Sequence, residues 1–172
     1  MNVAAALIPV EEYLETSYSP DCDYLDGALK GRNVGQQEHS RAQNNLAYRF
    51  TAKEDLWGIW SLTEQRIRTG AQRYRVADVC VVRSDAPWEP AITAPPLLCV
   101  EILSESDRIA DLEDKIEEYL AMGVEMIWVI DPGHRRAWHV VPHNRQEPSD
   151  GILRVPGTEI AVPLAEVFAG LP

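Results

Sequence analysis

The sequence predicts an α/β fold with a mixed central β-sheet flanked by helices. Two short, nearly continuous apolar runs, 97–103 and 126–130, read as strands buried on both faces, and an amphipathic helix over 107–122 joins them. After the turn signal Asp131-Pro132-Gly133, the stretch 137–141 is expected to return antiparallel to the second run. A chain of 172 residues is the size of one domain, and no repeat, low-complexity tract or linker divides it, so a single domain over 1–172 is expected.

The remaining elements follow in order. Residues 10–14 form a short amphipathic helix, and 23–31 reads as two short strands around Asp26-Gly27, a strong hairpin-turn pair. The stretch 38–56 lacks Pro and Gly and carries Ala42, Leu46, Ala47 and Phe50 at helical spacing, which predicts a long helix. Strands are predicted over 59–68 and 74–82, separated by Thr69-Gly70, and a loop over 84–96 holds Pro87, Pro90, Pro95 and Pro96. Ser104-Glu105-Ser106-Asp107 supplies N-cap side chains for the next helix, whose apolar stripe is Ile109, Leu112, Ile116, Tyr119 and Leu120; Gly123 suits its C-terminal cap. The tail adds a strand near Ile160 and a short helix over 164–168. The core order is helix, three strands, helix, strand.

Composition excludes several classes. No run approaches the ~20 apolar residues of a membrane helix. The opening MNVAAALIPV is too short, and too broken by Pro9, for an export signal, so a cytoplasmic location is expected. Cys22, Cys80 and Cys99 show no C-x-x-C spacing, which argues against a zinc ribbon, a disulfide framework or a disulfide-linked partner. Cys80 and Cys99 lie in apolar runs, where thiols act as small buried hydrophobes. A net charge of −11 disfavours a general nucleic-acid binder, so any such function needs a local basic surface and metal ions.

Glu101 stands in the middle of an apolar strand, and Asp78 repeats the situation within Val76-Ala-Asp-Val-Cys-Val-Val82. A carboxylate buried without a partner is very costly. If the two strands pair, the acids sit side by side, where a divalent ion would relieve their repulsion; oxygen ligands suit Mg²⁺ or Mn²⁺ better than zinc. The alternative is a structural ion pair for each acid, or an Asp78 that merely starts its strand and caps a turn. Lys115, on the flank of the buried stripe of its helix, could reach the acids, or could be a solvated lysine pairing with Asp111 or Glu118.

The order Asp78-Val79, then Val100-Glu-Ile-Leu-Ser104, then Asp111-Leu-x-x-Lys115-x-x-x-Tyr119, then Trp128-Val-Ile-Asp-Pro132 resembles the Uma-type restriction endonucleases of the PD-(D/E)XK nuclease superfamily. The resemblance extends upstream to Tyr24-Leu-Asp-Gly27 and Glu38-His39. It implies a restriction-endonuclease-like core in which Asp78 and Glu101, with the Ile102 carbonyl, hold Mg²⁺ or Mn²⁺, and in which Glu38 lines the same site. The superfamily's usual lysine, two residues after the second acid, is Leu103 here; the resemblance moves that role to Lys115. Ala77 precedes Asp78 where a proline is common. The implied activity is metal-dependent cleavage of DNA, with the metal polarising the phosphate and Lys115 orienting the attacking water or stabilising charge.

Substrate binding needs positive charge. Arg66 and Arg68 share one face of a predicted strand, and Arg73 and Arg75 one face of the next, either as a phosphate-gripping patch before Asp78 or as a solvated hairpin edge. Arg41 and Arg49 could extend such a cleft. His39 is either a phosphate contact or an exposed helix-start histidine. His134, His139 and His143 make no defensible metal cluster, and the tryptophans suit core or interface. A homodimer would serve to cut both strands of a duplex. The rivals are a catalytically silent module that binds nucleic acid or protein on the same fold, and a metal-dependent hydrolase of RNA or another phosphate ester.

Overall fold

The computed structural model describes residues 7–32 and 36–172. Most of the opening segment weighed above as an export signal lies outside them. Helix α1 (Val10–Glu15) precedes a hairpin of β1 (Cys22–Leu25) and β2 (Ala28–Gly31). Its turn residues Asp26 and Gly27 both take positive φ, 52° and 92°, as the tight hairpin turn expected from this pair requires. Then come α2 (Gln37–Thr51), α3 (Glu54–Trp57), β3 (Ile59–Gly70), β4 (Arg73–Arg83) and β5 (Leu98–Ile102). Helix α4 (Ile109–Met122) leads to β6 (Ile127–Asp131), β7 (Arg136–Val141) and β8 (Asn144–Gln146). A separate small hairpin of β9 (Ile152–Arg154) and β10 (Ala161–Pro163) runs into α5 (Leu164–Val167).

The large sheet runs β2-β1-β4-β5-β6-β7-β8, with β3 pairing along β4. Among the named strand pairs only β5 and β6 are parallel, joined by α4 as a crossover; the others are antiparallel. The sheet is therefore mixed, as expected. Helix α2 covers one face, burying Ala42, Leu46 and Phe50 against Val79, Val81, Val100 and Trp128. Helix α4 covers the other, burying Ile116 and Tyr119 against Cys80, Cys99, Ile127 and Val129. Both faces of β5 and β6 are thus covered, which is why these strands read as apolar runs. All three cysteines are free and buried. No helix among the described residues is long and apolar enough to cross a membrane.

Four local expectations are corrected. The helix predicted over 38–56 divides: Ala52 closes α2, and Lys53 leaves helical geometry at φ −127°. The break sets the Trp57 ring edge-on to Phe50, and Glu54 Oε1 then accepts the Ser61 amide at 2.8 Å. The Ser104–Asp107 stretch does not cap α4, whose N-cap is Arg108 with no side-chain bond; Asp107 instead accepts the Ser104 amide at 2.6 Å. Ile109 is 77% exposed rather than part of the buried stripe. Strands β8 and β9 escaped the sequence because they are three residues long, and β8 is wholly exposed and polar. Gly123 caps α4 at φ 106° as expected.

Candidate active site

The site forms where β4 lacks a strand on one edge. Along its other edge β4 pairs with β3 over nearly its whole length, whereas on this edge β1 reaches only Arg73 and Tyr74, and β5 only Val79 to Val81. Among the described residues no strand covers 75–78 there, and side chains answer the exposed backbone. The Val76 amide donates to Asp23 Oδ1 at 2.8 Å, the Val76 carbonyl accepts from Lys115 Nζ at 2.8 Å, and the Asp78 carbonyl accepts from Gln43 Nε2 at 2.9 Å.

The strands are also irregular here. Ala77 and Cys80 both join the cluster under α4, while Val79 and Val81 join the opposite one, so the alternation slips by one at Asp78. Facing Asp78 across the ladder is Glu64, whose backbone is left-handed (φ 53°). A non-glycine residue held in this region stores strain.

Asp78 and Glu101 each stand one residue beyond the last β4–β5 pair, Val79↔Val100, and both are buried at one cleft. Asp78 Oδ2 accepts the Ile102 amide at 2.6 Å; Oδ1 pairs with Arg32 and lies 3.4 Å from His39 Nε2. Glu101 Oε2 pairs with Lys115 Nζ at 2.7 Å, and Oε1 accepts the Tyr119 hydroxyl at 2.9 Å. Lys115 is therefore neither solvated nor paired with Asp111 or Glu118. Those acids hold Lys30 and the Arg73–Arg75 pair, respectively.

The two carboxyls titrate apart. Burial pushes Asp78 up, but His39, Arg32 and Lys115 outweigh it and hold the group below the usual carboxylate range. Burial and the charge of Asp78 push Glu101 up to about 7 against the pull of Lys115 and Arg32. Burial works against the Lys115 ammonium, yet Glu101, Asp23 and Asp78 raise its pKa above the ordinary lysine value. Burial likewise opposes His39 protonation, and its bond to Asp78 overcomes this, so His39 is raised.

One cleft is lined by Asp78, Glu101, Ile102, Lys115, His39 and Arg75, together with Asp23, Lys30, Arg32 and Arg108. Its lining has five basic and five acidic side chains, so the cleft is locally balanced in a chain of net charge −11. Glu38 is elsewhere, on a separate depression beside Arg41 and Gly170; the helix turns His39 inward instead. Arg41 donates to the Ala169 carbonyl, and Arg49 pairs with Glu166. Nor do the other arginines gather. Arg66 is fixed to Asp21 at 2.8 Å and to the Tyr13 and Thr16 carbonyls, with its guanidinium over the Tyr13 ring. Arg68 is exposed and donates to the Gly70 carbonyl. Arg73 and Arg75 share Glu118, both at 2.6 Å, and Arg75 also pairs with Asp23.

Sequence reasoning missed Arg32, Asp23, Gln43 and Glu118. Asp23 carried a usable signal, a third acid within a predicted strand; Arg32 had none, standing in a polar connection after β2.

A model of the Uma2 family, described as "Putative restriction endonuclease", matches residues 10–165. The chain belongs to the Uma2 family. The Uma2 match spans every element from α1 to the start of α5, including all the acids and lysines of the cleft. Among solved structures, the chain is similar to a protein of Anabaena variabilis ATCC 29413 described as a putative nuclease belonging to DUF820. The two share 20% identity and a TM-score of 0.81, covering 96% of this chain and 99% of that one, so the fold is shared nearly end to end. No curated protein matches.

Proposed function

We propose that this Uma2 protein is a divalent-metal-dependent endonuclease that hydrolyses DNA phosphodiester bonds, with Asp78 and Glu101 as the metal ligands. The observation that carries the reading is the placement of two buried carboxylates at one cleft, with Lys115 bonded to one of them. The donor set fits a hard cation: two carboxylates and the Ile102 carbonyl offer oxygen, and Mg²⁺ or Mn²⁺ takes oxygen. Glu101, raised to about 7, is a group whose ionised form a cation would favour. A divalent ion held there supplies Lewis acidity and a water of lowered pKa.

The chain's own groups do the rest. Lys115 spends two of its three N–H bonds on Glu101 and Val76, which leaves one to orient a water or stabilise a phosphoryl oxygen. Tyr119 fixes the other Glu101 oxygen and so the carboxylate plane. His39, 3.4 Å from Asp78, steadies that acid from α2. A homodimer would place two such sites on the two strands of a duplex.

One observation favours a second reading, a non-catalytic binding module on the same fold. Both carboxylates already have protein partners, and no group of three His, Cys, Asp or Glu side chains among the described residues is arranged to hold a metal. Calorimetric titration of Mn²⁺ into wild type and the Asp78→Ala/Glu101→Ala variant, with plasmid cleavage on the same samples, separates the readings. Binding and cutting that vanish together in the variant support the nuclease. Binding without cutting directs attention to RNA or other phosphate esters, and a wild type that binds no Mn²⁺ favours the module.

A further inference from the structure

Arg32 is the cleft residue whose placement the nuclease reading leaves unexplained. Its guanidinium bridges the buried Asp78 and the half-exposed Glu64. Of the other cations at the cleft, Arg75 is buried between Asp23 and Glu118, Lys30 pairs with Asp111 at 2.6 Å on the rim, Arg108 is exposed, and Lys115 keeps one N–H beyond its bonds to Glu101 and Val76. Arg32 follows the end of β2 rather than lying within a ladder.

Both carboxylates it bridges keep other donors if it leaves. Asp78 retains the Ile102 amide and His39, and Glu64 retains Gln43 Nε2 at 2.7 Å as well as water. With Arg32 in place, His39 neutral and Glu101 ionised, three carboxylates (Asp78, Glu101, Glu64) meet two cations (Lys115, Arg32), leaving one excess negative charge. A divalent ion converts this to one excess positive charge, which the single charge of a phosphodiester neutralises. Without Arg32 the metal-loaded site would already be neutral, and the phosphodiester would enter uncompensated. The planar fork of arginine matches two phosphate oxygens as it matches a carboxylate.

We propose that Arg32 is the phosphate clamp of this site, resting across Asp78 and Glu64 until it yields Asp78 to a divalent cation and turns its guanidinium to a phosphodiester of the substrate. The inference rests on the metal-dependent reading above. Arg32 also lowers the apparent metal affinity, because the site accepts the ion only in the fraction of molecules in which the guanidinium has left Asp78.

The test is Arg32→Met and Arg32→Lys, compared with wild type in two assays. These are Mn²⁺ titration by calorimetry, and anisotropy of a fluorescein-labelled duplex oligonucleotide in Ca²⁺. Arg32→Met should bind Mn²⁺ on the order of tenfold more tightly and the duplex on the order of tenfold more weakly. Its salt dependence should flatten by about one phosphate contact. Arg32→Lys should hold Mn²⁺ about as wild type does and lose duplex affinity through the missing fork. Opposite movements in the two assays are what a purely structural role would not produce. Mn²⁺ affinity that is unchanged or lower in a folded Arg32→Met overturns the resting role, and unchanged duplex affinity in both variants overturns the clamp. If neither wild type nor Arg32→Met binds Mn²⁺, the metal-dependent reading falls and this inference with it.

Discussion

Replacing Lys115 by Met should destabilise the metal-free protein by an amount that grows with pH above about 7. The ammonium does two things: it answers the Val76 carbonyl at 2.8 Å and the Glu101 carboxylate at 2.7 Å. Methionine fills similar volume and does neither. Below pH 7 Glu101 can carry a proton, so the main loss is a buried carbonyl without its donor, about 1–3 kcal/mol. Above pH 7 the wild-type carboxylate ionises beside Lys115, whereas the variant has to hold the proton or bury an unpaired charge. The sign follows from linkage. A carboxyl whose folded pKa is raised gives stability that is full below its unfolded value, near 4.5, and is lost as pH rises through the folded value. In wild type that loss ends near 7; in the variant, without the pull of Lys115, it continues to higher pH. Each further pH unit costs the variant about 1.4 kcal/mol relative to wild type, up to the about 3–5 kcal/mol of a broken buried pair. Urea denaturation of both proteins in EDTA at pH 6 and pH 9 reads the difference, with Glu101→Gln/Lys115→Met as the control whose pH dependence disappears. An equal loss at the two pH values would refute the claim that Lys115 is what keeps Glu101 ionised.

Two further outcomes test the surrounding frame. Burial pushes Glu118 up, but its bonds from Arg75, Arg73 and Thr69 hold it at about 2, so its stabilisation is present above about pH 4.5 and lost as pH falls through about 2. Discounted for its partial exposure, that contribution is about 1–2 kcal/mol; Glu118→Gln should lose it together with the acid-limb dependence, read by denaturation at pH 3 and 7. Glu64→Gly should relieve the left-handed backbone at φ 53° and change stability by less than about 1 kcal/mol in either direction; a loss above about 2 kcal/mol would show that its bonds to Arg32 and Gln43 outweigh the strain.

Much of the frame was legible because its causes are local. Apolar runs at 97–103 and 126–130, the helical spacing of 107–122 and the Asp26-Gly27 pair each name their element through backbone and burial preferences that act within a few residues. The same locality exposed Asp78 and Glu101, since an acid inside an apolar strand is anomalous in one dimension already. The fate of the arginines was not legible. Arg66, Arg73 and Arg75 show the same alternating pattern on paper, but their partners Asp21, Glu118 and Glu118 lie 45, 45 and 43 residues away. Whether a strand arginine grips a ligand or a structural carboxylate is a long-range electrostatic outcome with no periodicity.

By itself the sequence determined the α/β order of elements, the buried strands and the two acids within them, because side-chain burial writes its pattern along the chain. Only the tertiary structure decided that β1 and β5 leave 75–78 of β4 open, that Lys115 turns inward to Glu101, that His39 rather than Glu38 faces the cleft, and that Arg32 bridges Asp78 and Glu64. Each of these depends on where segments distant in sequence meet, and a buried charge takes whichever partner that meeting supplies.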